Sequence, residues 1–96
     1  MTTNIPYLTP DQFCQGDYTN GDQHCILEWV DRVFGGKDTI HFDTLSRQLM
    51  MLEIRDIIGE EGIISWNDAP TTTPEMIADT FNQAAQRLKR KMGVLA

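Results

Sequence analysis

Cys25, His41 and the pair Asn67-Asp68 are the residues whose chemistry could support nucleophilic catalysis. Cys25 comes just before an amphipathic stretch, and the N-terminal end of a helix lowers the pKa of a thiol. Cysteine, histidine and an amide or carboxylate, in this chain order, occur in some cysteine hydrolases and acyltransferases. Such an enzyme, using Cys25, His41 and Asn67 or Asp68, is therefore one hypothesis. The short spacing and the lack of predicted strands argue against it.

Four possible metal ligands stand in the first half of the chain: Cys14, His24, Cys25 and His41. They lack the paired C-x-x-C or H-x-x-x-H spacing that indicates a zinc site. The polar stretch at residues 17–22 also fails the calcium-loop pattern, because its glycine comes one position too early for an EF-hand. We therefore expect neither a metal nor another cofactor.

The acidic composition limits the class of partner. The chain has fourteen acidic and eight basic residues, for a net charge of −6. Nonspecific binding to nucleic acid is not expected, because the phosphate backbone favours Lys and Arg. Half of the basic residues, Arg87, Lys89, Arg90 and Lys91, would complement the dipole at the end of a C-terminal helix. An acidic mimic of nucleic acid, which would occupy a basic groove on a host factor, is an alternative function.

The length of 96 residues and the hydrophobic fraction of 41% are typical of one globular domain. No apolar run reaches the roughly 18 residues that span a membrane, so no membrane association is expected. The N-terminal residues lack the basic and apolar regions of a signal peptide, which predicts a cytoplasmic protein. In a reducing cytosol, the two cysteines would be free thiols.

Residues 1–8 are predicted to form an extended arm, and residues 9–96 a single helical domain. Thr9-Pro10-Asp11-Gln12 combines an N-cap, a proline at the first helical position and a capping-box glutamine. The helix that it starts must be short, because Gly16 follows closely. Phe13 and Cys14 are its expected inward-facing residues.

Two further helices are predicted in the middle of the chain. Residues 23–34 carry apolar side chains at helical spacing, and Asp22 is the expected N-cap. The next helix begins near Asp43 or Thr44 and ends near Ile58. Its apolar residues are spread too broadly for one stripe, which predicts a central helix buried on two sides.

Thr73-Pro74 predicts the start of the last helix, and Gly93 its end. These patterns together predict an all-α fold without a sheet. It is a small single domain of three main helices and one short N-terminal helix, with an irregular segment around Trp66 packed on the core. Trp66 would fill a site in the core, and Asn67 and Asp68 would fix the turn by bonding nearby backbone or the N-terminus of the helix after Cys25.

The segment Trp66-Asn67-Asp68-Ala69-Pro70 resembles the signature of a family of small uncharacterised proteins from bacteria and their phages. Members share this Trp-Asn-Asp-x-Pro motif before a C-terminal helix. They also share a turn with glycine and aspartate, here Gly16, Asp17 and Gly21, and a Cys-x-Leu helix start, here Cys25-Ile26-Leu27. The resemblance implies a helical domain of unknown function, often encoded in mobile or phage genomes. It assigns no catalytic residue.

The expected function is therefore a non-enzymatic, protein-binding factor of phage or mobile-element origin. Three observations motivate this prediction: no strong catalytic arrangement, an acidic surface, and surplus apolar residues such as Tyr7, Leu8 and Met51. The expected partner is another protein, and a homodimer is a further option. Membrane and nucleic acid are not expected partners.

Overall fold

The computed structural model describes residues 5–35 and 44–95 of the chain. The predicted connector that contains His41 lies outside the described residues. The described part is mostly helical, as predicted. In chain order its elements are a 3-10 turn at Pro10–Gln12, β1 at Thr19–Asn20, β2 at Gln23–His24, α1 at Ile26–Val30, a π-helical turn at Asp31–Gly35, α2 at Thr44–Ile58, α3 at Ile63–Asp68 and α4 at Pro74–Leu95.

The predicted N-terminal helix is a single 3-10 turn of three residues. The side-chain oxygen of Gln12 accepts a hydrogen bond from the Thr9 backbone N–H at 2.8 Å, so the capping-box glutamine holds this turn. Phe13 and Cys14 are buried, as predicted. Phe13 also forms a parallel bridge with His24, which attaches the N-terminal segment to the hairpin.

The prediction of no sheet was wrong at one place. Strands β1 and β2 pair antiparallel, with Thr19 opposite His24 and Asn20 opposite Gln23. The two-residue loop between them begins with Gly21 at φ +65°, a backbone conformation that glycine adopts without strain. The polar stretch therefore forms a hairpin turn rather than the start of a helix.

Helix α1 begins three residues later than predicted, and its N-cap is Cys25 rather than Asp22. After Val30 the chain continues as the π-helical turn. Within this stretch Ile26, Val30 and Phe34 are buried, as the periodicity predicts. The indole N–H of half-buried Trp29 donates to the carbonyl of Gln12 at 2.9 Å, so this side chain ties α1 to the N-terminal turn.

The predicted bounds of α2 are confirmed, and Gly59 follows its last residue with φ +75°. The prediction that this helix is buried on two sides was wrong. Leu45 and Leu52 are 67% and 56% exposed, although Met50 and Ile54 are fully buried on the opposite face. An amphipathic helix with a few apolar residues on its outer face explains the broad sequence pattern.

Helix α4 contributes seven buried residues to the described part. The Thr73 hydroxyl accepts a hydrogen bond from the Met76 backbone N–H at 3.2 Å, which confirms the predicted N-cap. The predicted end at Gly93 was wrong, since the helix continues to Leu95. Its buried residues are Ile77, Ala78, Thr80, Phe81, Ala84, Ala85 and Leu88.

Ion pairs link α2 to α4 beside the core. The carboxylate of buried Glu53 binds the ammonium of Lys91, and Arg87 binds Asp56 at 2.6 Å. The Lys89 ammonium donates to the carbonyl of Ile5 at 3.4 Å. These basic residues therefore hold α4 to neighbouring segments, instead of complementing the dipole of a final turn that lies beyond them.

The N-terminal arm, described from Ile5 onward, packs on α4. Asn82 clamps it, accepting from the Leu8 N–H at 3.0 Å and donating to the Leu8 carbonyl at 2.8 Å. Ile5 and Leu8 are buried, whereas Tyr7 is 78% exposed. Leu8 is therefore a core residue rather than part of an apolar surface. Among the described residues, no helix is long and apolar enough to cross a bilayer.

The relative burial of two aromatic residues predicts different costs of truncation. Phe81→Ala should lower the free energy of unfolding by about 3–5 kcal/mol, because it empties a fully buried site. Trp66 only packs against the edge of the core and is half-buried, so Trp66→Ala should cost roughly half as much. Urea unfolding of both variants checks this. Equal losses would mean that Trp66 fills the core as the sequence predicts.

Candidate functional site

The side-chain amide of Asn67 joins three segments of the chain at one point. Its oxygen accepts from the Ile26 backbone N–H at 3.1 Å, and its nitrogen donates to the Cys14 carbonyl at 3.1 Å. The nitrogen also donates to the Asp68 carboxylate at 2.9 Å. Asn67 is fully buried. It therefore supplies the partners that the start of α1 and the N-terminal segment would otherwise lack.

Asp68 and Gln15 extend this junction toward the surface. The Asp68 carboxylate accepts from the Gly16 backbone N–H at 2.8 Å, and Gly16 has φ +85°. The Gln15 amide donates to the carbonyls of Asn67 and Thr72, at 2.8 and 2.7 Å. These bonds fix the loop before the hairpin against α3. Throughout the described part, every fully buried side-chain nitrogen and oxygen has a hydrogen-bond partner.

A surface cleft of about 180 Å³ lies beside this junction, between the loop before the hairpin, the start of α1 and α3. We call it the acidic cleft, because two carboxylates and no basic side chain line it. Its lining residues are Gly16, Asp17, Tyr18, Cys25, Ile64 and Asp68. Asp17, Tyr18, Ile64 and Asp68 are all exposed. The cleft therefore presents negative charge, an aromatic ring and an aliphatic wall to solvent.

Cys25 forms the inner wall of the acidic cleft and caps α1. Its sulfur accepts a hydrogen bond from the Glu28 backbone N–H at 3.4 Å, and only 4% of its surface is exposed. Burial raises the pKa of the Cys25 thiol, and this effect exceeds the lowering by the N–H groups of Glu28 and Leu27. The lowered pKa expected at a helix N-terminus is therefore not found. The neutral thiol is a weak nucleophile.

Cys14 lies close to the same wall. Its thiol donates to the Asp17 carbonyl at 3.3 Å. Burial raises the pKa of the Cys14 thiol, and the negative charges of Cys25, Asp17 and Asp68 raise it further. Both cysteines are buried and neither is in a disulfide. The expected free thiols are thus present, in protonated form at neutral pH.

The residues of the hydrolase hypothesis are only partly assembled in the described part. Cys25 and Asp68 line the acidic cleft together. Asn67 is not in the cleft, since its amide is committed to backbone groups behind it. His41 lies outside the described residues. Within residues 5–35 and 44–95, no group of three or more His, Cys, Asp and Glu side chains could hold a metal ion.

The remaining motif residues have different positions. Leu27 is half-buried in α1, and Pro70 is exposed in the turn after α3. The segment around Trp66, predicted to be irregular, is the short helix α3. Trp66 contributes to a second groove of about 310 Å³, the Trp66 groove, on another side of α3. The Trp66 groove is lined by Ile57, Ile58, Trp66, Met76, Asp79, Thr80 and Gln83.

Sequence reasoning missed three residues of this region. Gln15 gave no signal, because its partners stand more than fifty positions away in the chain. Tyr18 and Ile64 are ordinary surface residues in sequence terms, and only the fold brings them to one cleft. The turn motif with Gly16 and Asp17 was a usable signal, since both residues line the cleft.

Comparison with known families covers most of the chain. The sequence profile of a family of unknown function, DUF6197, matches residues 5–87. This range contains every element described above except the last turns of α4. No curated protein and no solved structure matches the chain.

Removal of the Asn67 amide should strongly destabilise the fold. Asn67→Ala leaves the Ile26 N–H and the Cys14 carbonyl buried without partners. Each unpaired group costs roughly 1–3 kcal/mol, so we expect a loss of about 2–5 kcal/mol in the free energy of unfolding. Asn20→Ala, at an exposed position of the hairpin, is the control. Similar urea midpoints for the two variants would contradict this role of Asn67.

The raised pKa values predict slow alkylation of both thiols. At neutral pH, iodoacetamide should modify the folded protein more slowly than the urea-unfolded protein, because only the thiolate reacts and the sulfurs are buried. The thiol pKa values in the folded protein lie above the ordinary thiol value. The alkylation rate of the folded protein should therefore still rise with pH in the alkaline range where the alkylation rate of the unfolded chain has become constant. Mass spectrometry over a pH series measures both. Fast modification of Cys25 at neutral pH would support the hydrolase hypothesis instead.

Proposed function

This chain belongs to the family of unknown function DUF6197, and we propose that it is a non-enzymatic protein-binding factor. The acidic cleft would accept a basic side chain of the partner protein. The observation that carries the proposal is the convergence of Asp17, Asp68 and Tyr18 on one accessible cleft.

The lining of the acidic cleft matches the chemistry of Lys and Arg side chains. These side chains have an aliphatic stem and a cationic head, and they bury the stem while the head stays polar. Ile64 offers an aliphatic contact for the stem. The carboxylates of Asp17 and Asp68 attract the head, and the ring of Tyr18 adds a cation–π contact.

The size of the acidic cleft favours a side chain over a small-molecule substrate. Its volume of about 180 Å³ is below the roughly 300–1,000 Å³ of typical ligand pockets. It is also open to solvent on the hairpin side, where Tyr18 is 59% exposed. A shallow site of this size suits one residue of a larger partner, which would cover the cleft from outside.

Apolar surface around α3 offers further contacts to such a partner. Ile64 is 39% exposed beside the acidic cleft, and Met76 is 44% exposed beside the Trp66 groove. Helix α3 contributes to both sites, through Ile64 and Asp68 to one and Trp66 to the other. A partner lying across α3 would therefore combine aromatic and aliphatic contacts with a charged pair, as protein interfaces commonly do.

The net charge of −6 supports a basic partner. An excess of negative charge attracts a positively charged surface before contact and raises the association rate at low salt. The proposal includes the predicted origin in phage or mobile genomes and the expected cytoplasmic location, both of which stay predictions.

Two alternatives have less support in the described residues. A cysteine hydrolase needs an activated thiol, but burial raises the pKa of Cys25. An acidic mimic of nucleic acid needs carboxylates that are free to face a basic groove. Several carboxylates instead form internal ion pairs, in the pairs Glu28–Arg32, Asp31–Arg47, Glu53–Lys91 and Asp56–Arg87.

Two exposed tyrosines permit a matched test of where the partner binds. A photo-crosslinking amino acid replaces Tyr18 in one variant and Tyr7 in another, and each purified protein is irradiated in a bacterial lysate. The Tyr18 position should give a defined adduct, because it lies at the acidic cleft. The Tyr7 position, which is even more exposed, should not give the same adduct. Equal labelling of one protein at both positions, or no adduct at Tyr18, would contradict the proposal.

Removal of one negative charge from the acidic cleft then tests whether the cleft binds a basic side chain of the cross-linked partner. Asp17→Asn should weaken binding about threefold to tenfold, the effect of losing a partly exposed ion pair of roughly 1 kcal/mol. Asp22→Asn removes the same charge from the same hairpin but outside the cleft, and it should change the affinity little. Affinities are measured at two salt concentrations. Equal effects of the two substitutions would mean that the net negative charge of the protein, and not the acidic cleft, attracts the partner.

A further inference from the structure

We propose that Cys14 and Cys25 are a redox-responsive pair, whose two thiols a peroxide oxidises to an intramolecular disulfide at the wall of the acidic cleft. This inference concerns the thiols alone and goes beyond the proposed binding function. It stands on three separate geometric relations between the two cysteines.

The first relation is the pairing of the adjacent backbone. Phe13 and His24 form a parallel bridge, and the residues that follow them are Cys14 and Cys25. The Cys14 backbone N–H donates to the His24 carbonyl at 3.2 Å. Paired strands lie about 4.8 Å apart. The bridged residues Phe13 and His24 are paired at about this spacing, and Cys14 and Cys25 are the next residues on each strand, so we expect their Cα atoms to lie close to the 4.4–6.8 Å range found in disulfides.

The second relation is the bridge made by the Asn67 amide. Its nitrogen binds the Cys14 carbonyl, and its oxygen binds the N–H of Ile26, which is the peptide group that follows Cys25. Oxygen and nitrogen of an amide are attached to the same carbon atom. The Cys14 carbonyl and the peptide group after Cys25 are therefore joined through one side-chain amide, just beyond the parallel bridge.

The third relation places the two cysteines against neighbouring residues of the loop before the hairpin. The Cys14 thiol donates to the Asp17 carbonyl at 3.3 Å, and the Cys25 backbone N–H donates to the Tyr18 carbonyl at 2.9 Å. Interaction with Cys25 is also one of the causes of the raised pKa of Cys14, after burial. Both cysteines are thus held against one short segment of the chain, residues 17–18.

Either thiol could meet the oxidant first, because Cys25 lines the acidic cleft and Cys14 is slightly more exposed, at 8% against 4%. The thiolate that reacts first attacks one oxygen of hydrogen peroxide, the O–O bond breaks, and that cysteine becomes a sulfenic acid while the released hydroxide takes up a proton. The thiolate of the other cysteine then attacks the sulfur of the sulfenic acid, and the S–O bond breaks. The hydroxide that leaves is protonated to a second water. The thiols lose two electrons, and the peroxide is reduced to two waters.

The disulfide would enclose the residues that form one side of the acidic cleft. Gly16, Asp17 and Tyr18 all lie between the two cysteines in the chain. A cross-link at both ends of this segment reduces its conformational freedom and ties the hairpin to the start of α1. Oxidation would therefore stiffen the cleft. Because burial raises the pKa of both thiols, the reaction is slow at neutral pH and accelerates as the pH rises.

The test is oxidation of the folded full-length protein with hydrogen peroxide, followed by alkylation of the remaining thiols under denaturing conditions. Digestion on the N-terminal side of Asp17 and Asp22 separates Cys14 from Cys25, so a linked pair of peptides identifies the disulfide. We expect both thiols to be lost together, in monomeric protein, and to return with a reducing agent. Disulfide-linked dimers, or a sulfinic acid at Cys25 with Cys14 still reduced, would overturn the proposal.

Two serine variants define the order of the steps. In Cys14→Ser, a sulfenic acid at Cys25 should persist and be trapped by dimedone, because the second thiol is missing. In Cys25→Ser, a sulfenic acid at Cys14 should persist in the same way, and the two rates of trapping show which thiol reacts first. Serine is a good N-cap, so this variant should keep α1 folded. If neither variant gave a trapped sulfenic acid, the proposal would be overturned.

Stability of the oxidised protein is a second readout. The disulfide form should unfold at a higher urea concentration than the reduced form, because the native geometry accepts the bond and the unfolded chain is constrained. Peroxide-treated Cys14→Ser should show no such increase. A lower midpoint for the oxidised wild type would show that the bond strains the fold, and would overturn the proposed geometry.

Discussion

The buried amide of Asn67 is the interaction on which the rest of the structure depends. The amide accepts a hydrogen bond from the backbone at the start of α1 and donates one to the Cys14 carbonyl. Because Asn67 belongs to α3, these two bonds join all three segments. An unpaired buried backbone group is costly, and the amide between the three segments lets them pack together without that cost. In a domain of this size, the loss of a few kcal/mol is a large share of the total stability.

The acidic cleft follows from this junction. With Asn67 fixed, Asp68 reaches the backbone of Gly16, and the hairpin is held beside α3 with a gap between them. Asn67 and Asp68 thus stabilise the fold, and the exposed side chains of Asp17 and Tyr18 determine which groups the cleft could bind. Burial of Cys25 at the wall of the cleft raises the pKa of its thiol, whereas an activated cysteine nucleophile has a lowered pKa.

Much of the helical framework could be predicted from local residue patterns. Helix α2 begins at Thr44 and ends before Gly59, and α4 begins after the Thr73 cap. These bounds depend on caps, glycine and proline, whose effects extend over only a few residues. The hairpin was missed although Gly21 marks its turn, because strands of two residues have too little periodicity to be recognised.

The sequence by itself determined the helical class, the bounds of α2, the start of α4 and the identity of the motif residues, because these follow from short-range chemistry. Only the tertiary structure decided that Cys14 lies beside Cys25, that Asp17 and Asp68 share a cleft, and that Trp66 stays half-buried. These relations join positions far apart along the chain. No local propensity encodes such distances, since they depend on how all the elements pack at once.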